Sequence, residues 1–266
     1  MALALAEDEH EDTTPDDLKK ILGIWWAPTA DYITFSLRYN RIDGALLSSI
    51  RAPTKRDVLR VLMSLFDPIG LLAYYTVHLK ILMQEIWRTG RNWDESIAEG
   101  LIPTWVQWIR QLRMVEDIQI PRCFLQSVAD YEGAVVEIHV FCDASEEAYC
   151  AVAYLRIEKG NCVDVAFLAA KTKVAPLKLV SVPRLELMAA LIGARLGRHL
   201  ERGLSIPVTR RCFYTDSTTA LGWVLSTERR FKQFVAFRVA EIPEITAPSE
   251  WFWIESKENV ADEATK

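Results

Sequence analysis

Four acidic residues stand where acids are uncommon. Asp143 closes an apolar strand-like run in HVFCDAS, and Asp216 closes another in CFYTDST. Glu186 sits near the start of an amphipathic stretch, PRLELMAA, and Asp262 lies in NVADEATK, just past the last strand-like run. They are 43, 30 and 46 residues apart, so only a fold can gather them. In an open α/β sheet, the carboxyl ends of neighbouring strands meet at one crevice. Asp143 and Asp216 are therefore expected side by side. Gathered carboxylates repel, and some stay protonated unless cations neutralise them. Hard divalent cations with oxygen ligands suit such a set, Mg2+ commonly through one or two carboxylates plus substrate phosphate. Two such ions about 3.5–4 Å apart stabilise both the attacking and the leaving oxygen of an in-line phosphoryl displacement. An acid after a strand also serves as an ordinary turn or helix cap. Four acids in this order of elements point instead to one shared site.

The elements that must hold these acids can be read from periodicity. Strand-like runs at 135–142, 148–157 and 163–170 follow in quick succession, and Lys159-Gly160-Asn161 marks a hairpin turn. A helix is predicted over 183–202, with Leu185, Met188, Ala189, Ile192, Leu196 and Leu200 on one face. Ser181 suits its N-cap and Pro183 its first turn. Residues 208–214 read as a strand, 217–225 and 232–242 as helices, and 251–254 as a last short strand. The order β-β-β-α-β-α-α-β implies an α/β fold, a mixed sheet with helices packed on it.

Upstream the pattern differs. Residues 18–50 alternate like strands, with turn signals at Pro28 and Asp43-Gly44. From Thr54 the period changes: Val58, Val61, Leu62 and Leu65 share a helical face, and Asp67-Pro68 ends it. Further helices are predicted over 70–89, with Leu79, Leu82, Met83, Ile86 and Trp87, and over 101–114, with Trp105, Trp108, Ile109 and Leu112. The three form a helical subdomain. Periodicity lapses at 118–121. The expected division is an acidic disordered tail at 1–17, a first region at 18–130 and a second at 131–266.

Composition narrows the class. The chain has 266 residues, 50% hydrophobic and 25% charged. That is enough apolar surface to exclude wholesale disorder. No run of about 18 apolar residues exists to span a membrane, and MALALA lacks the basic residues of a signal peptide. The five cysteines are odd in number and contain no CxxC pair, so buried free thiols in a reducing compartment are expected rather than zinc or disulfides. Net charge is −5, but residues 1–17 hold seven acids and no Lys or Arg, leaving 29 acids against 31 bases. Residues 18–130 carry 14 bases against 11 acids, and residues 131–266 carry 17 against 18. Two bound divalent ions would turn the second half positive, so the acidic balance does not oppose a polyanionic partner.

The phrases FCDAS, PRLELMAALIGARL, YTDSTTALGWV and NVADEAT resemble the D-E-D-D set of the retroelement ribonuclease H domain. Their surroundings are similar to the Pol polyprotein of BEL/Pao-type LTR retrotransposons, from about residue 18 to the end. LGIWWAPTADYITF resembles the end of that element's reverse transcriptase, and KRDVLRVLMSLFDPIGLLAYYTVHLKILMQEIW its thumb and connection region. VAPLKLVSVPRLEL is similar to the family's approach to its catalytic Glu. The resemblance implies a ribonuclease H-like mixed five-stranded sheet with helices on both faces, preceded by a helical thumb/connection-like subdomain. It implies that Asp143, Glu186, Asp216 and Asp262 hold two Mg2+ or Mn2+ ions, and that the reaction is endonucleolytic cleavage of RNA in an RNA–DNA hybrid. Contact across the minor groove, including ribose 2′-hydroxyls, fits recognition of such helices. Ser145, Ser217 and Thr218 flank the acids and are candidates to bond the nucleic-acid backbone, with turn and cap roles as the alternative. Arg229, Arg230 and Lys232 form a basic cluster suited to phosphate contact. Trp223 is a candidate to approach the substrate, with a core aromatic on a helix as the preferred alternative.

Some features depart from the family. None of His10, His78, His139 and His199 lies shortly before Asp262, where many ribonucleases H carry a mobile His; Lys257, Glu258 and Asn259 occupy that stretch. The chain stops four residues past Asp262, so the helix bearing it is expected to be cut short. No Tyr-x-Asp-Asp turn occurs, so the first region is expected to be a reverse-transcriptase remnant without a polymerase site. The remaining Pol segments, polymerase and integrase, are expected partners, and cytoplasmic virus-like particles the expected location. Two rival readings stand beside this one. A Pao-type aspartic peptidase, the Peptidase A17 label, needs paired Asp-Thr/Ser-Gly loops, and Asp216-Ser217-Thr218 lacks the Gly. A non-catalytic nucleic-acid-binding remnant of the element needs no metal centre at all.

Overall fold

Alternating residues and tight turns build the first sheet. The computed structural model describes residues 18–21, 24–35, 43–128, 130–227 and 230–265. The acidic tail 1–17 and Arg229 lie outside the described residues. Strands β1 (Lys19–Ile21), β2 (Ile24–Ala27) and β3 (Tyr32–Thr34) form an antiparallel meander, with Trp25 opposite Thr34 and Trp26 opposite Ile33. The Asp43-Gly44 signal marks a helix start rather than a turn: Asp43 caps α1 (Gly44–Leu47) by accepting the Ala45 N–H at 3.0 Å.

The helical reading of the next stretch holds. Thr54 and Asp57 exchange hydrogen bonds as a capping box and start α2 (Lys55–Ser64). Helices α3 (Ala73–Arg88) and α4 (Ile102–Leu112) pack on it through Val58, Val61, Leu79, Ile86, Trp105 and Ile109. Tyr75 stacks on Trp108 at 4.4 Å and donates its hydroxyl to the Trp108 carbonyl at 2.8 Å. Just beyond, β4 (Ile120–Pro121) joins the first sheet beside β3. The lapse in periodicity there hid a strand, because two residues are too few to show a period and their partner is remote in sequence.

The second sheet holds the acids. Strands β5 (Val135–Ala144), β6 (Ala148–Lys159) and β7 (Cys162–Val174) are antiparallel neighbours. Helix α5 (Val182–Gly203) crosses over to β8 (Arg210–Thr215), which lies parallel to β5. Then come α6 (Thr218–Leu225), α7 (Gln233–Glu241) and β9 (Trp251–Trp253), parallel to β8. The strand order is β7-β6-β5-β8-β9. Val136, Ile138, Val140 and Cys142 of β5 alternate onto the face covered by α5, where Leu185, Ala189 and Ile192 meet them. Helix α5 lies so close to β5 that a Cβ on Gly193 would overlap the Cys142 sulfur. On the opposite face Ala261 and Ala264 pack on Cys150 and Val152. Cys142, Cys150 and Cys212 are buried free thiols as expected, whereas Cys123 and Cys162 are exposed.

The helical region docks along β7. The Ala170 N–H donates to the Ile69 carbonyl at 2.8 Å, Lys80 reaches Thr172 at 3.1 Å, and Gln84 donates to the Ala175 carbonyl at 2.5 Å. Gly70 adopts φ +80°, and a Cβ there would overlap the Ala170 carbonyl. Gly70→Ala therefore combines a left-handed backbone with a steric clash, and it should cost about 2–4 kcal/mol. Urea denaturation of the full chain checks this, with a midpoint well below that of the parent as the expected result.

Candidate metal centre

The site forms because two parallel strands end together. Cys142 of β5 pairs in register with Thr215 of β8, which sets the next residues, Asp143 and Asp216, side by side. Glu186, in the first turns of α5, enters from the covering helix. One ligand oxygen from each of Asp143, Glu186 and Asp216 lies within 4.8 Å of the others. Asp143 is 4% exposed and Glu186 6%, so two of the three carboxylates are out of water. Glu186 Oε2 is buried and, among the described residues, has no hydrogen-bond partner. Burial, then the charges of Asp143 and Asp216, push the Glu186 carboxyl up to about 9; an Ala144 N–H bond opposes this and Asp262 adds to it.

The neighbouring residues hold the set in place. The Thr265 hydroxyl donates to the Asp143 carboxylate. Ser145 donates to the Thr265 carbonyl at 2.6 Å and accepts from the Glu147 and Ala148 N–H groups, so it both closes the β5–β6 turn and ties down the terminal segment. Trp253 donates its indole N–H to the Asp216 carbonyl at 3.0 Å while its ring stays 51% exposed. Ser217 caps α6 by accepting the Ala220 N–H at 3.2 Å. Asp216-Ser217-Thr218 is thus a strand end followed by a helix start, not a peptidase loop. Thr218, Arg230 and Lys232 are exposed. Trp223 is partly buried against the core of the second sheet, as a core aromatic should be.

Asp262 behaves differently from the other three. It opens a single 3-10 turn, Asp262–Ala264, and is not one of the three acids within 4.8 Å. Its charge still reaches Glu186. Of the residues before it, Asn259 is buried and donates to the Cys142 carbonyl at 3.1 Å, and Lys257 pairs with Glu255 at 2.7 Å. Asn259, Thr265 and Trp253 therefore act on the site through the backbone or carboxylate of another residue. Motif reading missed these roles because each depends on a partner more than 35 residues away.

Three antiparallel strands followed by two parallel ones, with an acid ending the first and the fourth, define a ribonuclease H-like α/β domain. The chain belongs to the family of Pao retrotransposon-like RNaseH-like domains, whose family model matches residues 54–217. The match takes in Asp143, Glu186 and Asp216 together with the helical region. No curated protein matches the sequence. Among solved structures, the N-terminal RNase H domain of rv2228c from Mycobacterium tuberculosis is similar at 12% identity, covering 49% of this chain and 91% of that one, with a TM-score of 0.36. LC11-RNase H1, solved with an RNA/DNA hybrid, is similar at 13% identity over 48% of this chain and 92% of its own, with a TM-score of 0.34. A foamy viral protease-reverse transcriptase solved with dsDNA is 12% identical, covering 89% of this chain and 44% of its own, with a TM-score of 0.26. These scores are low, and the fold assignment stands on the strand order and the family match. No helix among the described residues is long and apolar enough to cross a membrane.

The raised Glu186 pKa sets a pH dependence. In the metal-free protein the folded state holds this proton more tightly than the unfolded chain. The stabilisation is complete below the ordinary value of 4.5 and is lost as pH rises toward about 9. Glu186→Gln should remove that slope and stabilise the metal-free protein at pH 8. Urea unfolding in EDTA at pH 5 and pH 8 measures it.

Proposed function

We propose that the chain is a retroelement ribonuclease H-like endonuclease that cleaves RNA in RNA–DNA hybrids, using two divalent cations, Mg2+ or Mn2+. The observation that carries this reading is the buried Glu186 oxygen, partnerless among the described residues, within three gathered carboxylates. Such a set stays fully ionised only with a cation among it, and an all-oxygen set of acids fits a hard ion. Asp143, Glu186 and Asp216 would hold the ions, with Asp262 as the fourth acid. When bound, such ions supply an activated water and stabilise charge on the attacking and leaving oxygens.

The chain's own residues do the rest. Thr265 fixes the orientation of the Asp143 carboxylate, and Trp253 fixes the backbone of Asp216. Arg230 and Lys232 are available for phosphates, as Arg229 is by its type, and the open face of Trp253 beside Asp216 can stack on a sugar or base. Ser145 and Ser217 shape the turns that carry the acids, and Thr218 offers an exposed hydroxyl. Residues 18–130 are read as the thumb/connection-like part of a reverse transcriptase without its polymerase site. Their own four-stranded sheet and helical core support a separate unit. Within the parent polyprotein the partners would be polymerase and integrase segments, in a cytoplasmic virus-like particle.

The full chain should cleave a labelled RNA–DNA hybrid with Mg2+ or Mn2+. Asp143→Asn should lower the rate by more than about 100-fold, beyond the cost of losing an outer partner, whereas Thr265→Val, which removes such a partner, should lower it by about 10-fold. Equal cleavage by Asp143→Asn, or none by the folded parent, would overturn the proposal in favour of a non-catalytic binding module.

A further inference from the structure

A crevice of 340 Å3 opens between α5, α7 and the β6–β7 hairpin, and it shares no residue with the three gathered acids. Its wall includes Tyr149, which pairs with Ala144 across β5 and β6, so the crevice adjoins the strand end that carries Asp143. Tyr149 is only 5% exposed. Around it stand three cations, Lys173, Arg195 and Arg238, and one acid, Glu241. Glu241 is taken: Arg195 grips it with two bonds of 2.6 and 2.7 Å. Arg238 donates to the Phe234 carbonyl at 2.7 Å and lies 3.6 Å from the centre of the Phe234 ring, which fixes its plane. Neither Arg238 nor Lys173 has a carboxylate partner among the described residues. Burial, with Arg195 nearby, presses the Arg238 pKa below its ordinary value, although Tyr149 opposes this; an arginine stays charged regardless.

Two positive charges without a carboxylate partner among the described residues, and the Tyr149 side chain, therefore line one small space. We propose that this crevice binds a phosphate oxyanion, with Arg238 and Lys173 as its charge partners and Tyr149 as a hydroxyl donor. Charge-assisted hydrogen bonds of this kind are about twice as strong as neutral ones. The floor is apolar, formed by Met188, Leu191 and Ile192, and the ring of Phe237 is 66% exposed at the rim. These surfaces suit the sugar or base attached to a phosphate. The volume is at the small end of the range for ligand pockets, which admits one nucleotide unit and not a duplex. That unit comes either from a free nucleotide or from a single strand.

Calorimetric titration of the full chain in EDTA tests this without involving the metal centre or cleavage. The probes are inorganic phosphate, 5′-AMP and a short single-stranded oligodeoxynucleotide at one fixed salt concentration. Saturable binding of AMP and phosphate assigns the site to free nucleotides, and binding of the oligonucleotide alone assigns it to a strand. In either case Arg238→Gln and Lys173→Gln should each weaken binding about tenfold or more, as loss of a charged hydrogen bond does. Tyr149→Phe should weaken it less. Lys173 is exposed, so its variant tests the charge without disturbing the packing. Absence of saturable binding for all three probes, or unchanged affinity in both the Lys173 and the Arg238 variants, would overturn the proposal.

Discussion

Helix α5 lies directly against β5, with Gly193 over Cys142, and this contact carries Glu186 into the charge of Asp143 and Asp216. The acids do not favour the arrangement; the core imposes it. Ile138, Leu155, Leu185 and Leu187 are among the side chains buried at that interface. Burying one such side chain contributes about 1.5–3 kcal/mol. Several together outweigh the electrostatic penalty once Glu186 is protonated or a cation lies among the acids. The site is thus a strained corner of a well-packed domain, and the strain is electrostatic rather than steric.

Glu137 shows what another buried acid does when the fold intends only stability. It lies on the same strand, is 4% exposed, and is met by Arg210 at 2.6 Å, Arg156 at 3.1 Å and His139 at 3.1 Å. Burial pushes its carboxyl up, but His139 and Arg210 outweigh burial and hold it below the ordinary range. Glu186, six per cent exposed, has acids for neighbours and shifts the other way. Both side chains are largely out of water, and Glu186 is the more strongly desolvated of the two carboxyls. Burial and the identity of the neighbours together decide whether a carboxylate is matched or left waiting for a cation.

The helical region and the sheet share more than a chain. Gly70 brings the backbone of the 69–70 segment onto Ala170, and Lys80 and Gln84 of α3 reach β7 and the residue after it. The family match, beginning at residue 54, spans both sides of this contact. The terminal segment adds a third layer through Asn259 and Thr265, each bonded to the end of β5. The helical region thus docks on β7, and the terminal segment on the end of β5.

Much of this was legible in the residue pattern. Apolar runs ending in Asp143 and Asp216, and the helical face of Leu185 to Leu200, show a period within one element, because a strand or helix repeats its neighbourhood every two or 3.6 residues. The elements from Val135 to Trp253 follow from that periodicity, and so does the pairing of the two strand-end aspartates. Strand β4 did not follow, since two residues carry no period, and Asp43-Gly44 became a helix cap because turn chemistry and capping chemistry use the same residues. The separate position of Asp262, the anchoring by Asn259 and Thr265, and the unmatched cations facing Tyr149 also lay beyond the residue pattern. Each is a relation between side chains far apart along the chain. Local sequence sets which face a residue occupies, and only packing in three dimensions sets what it faces.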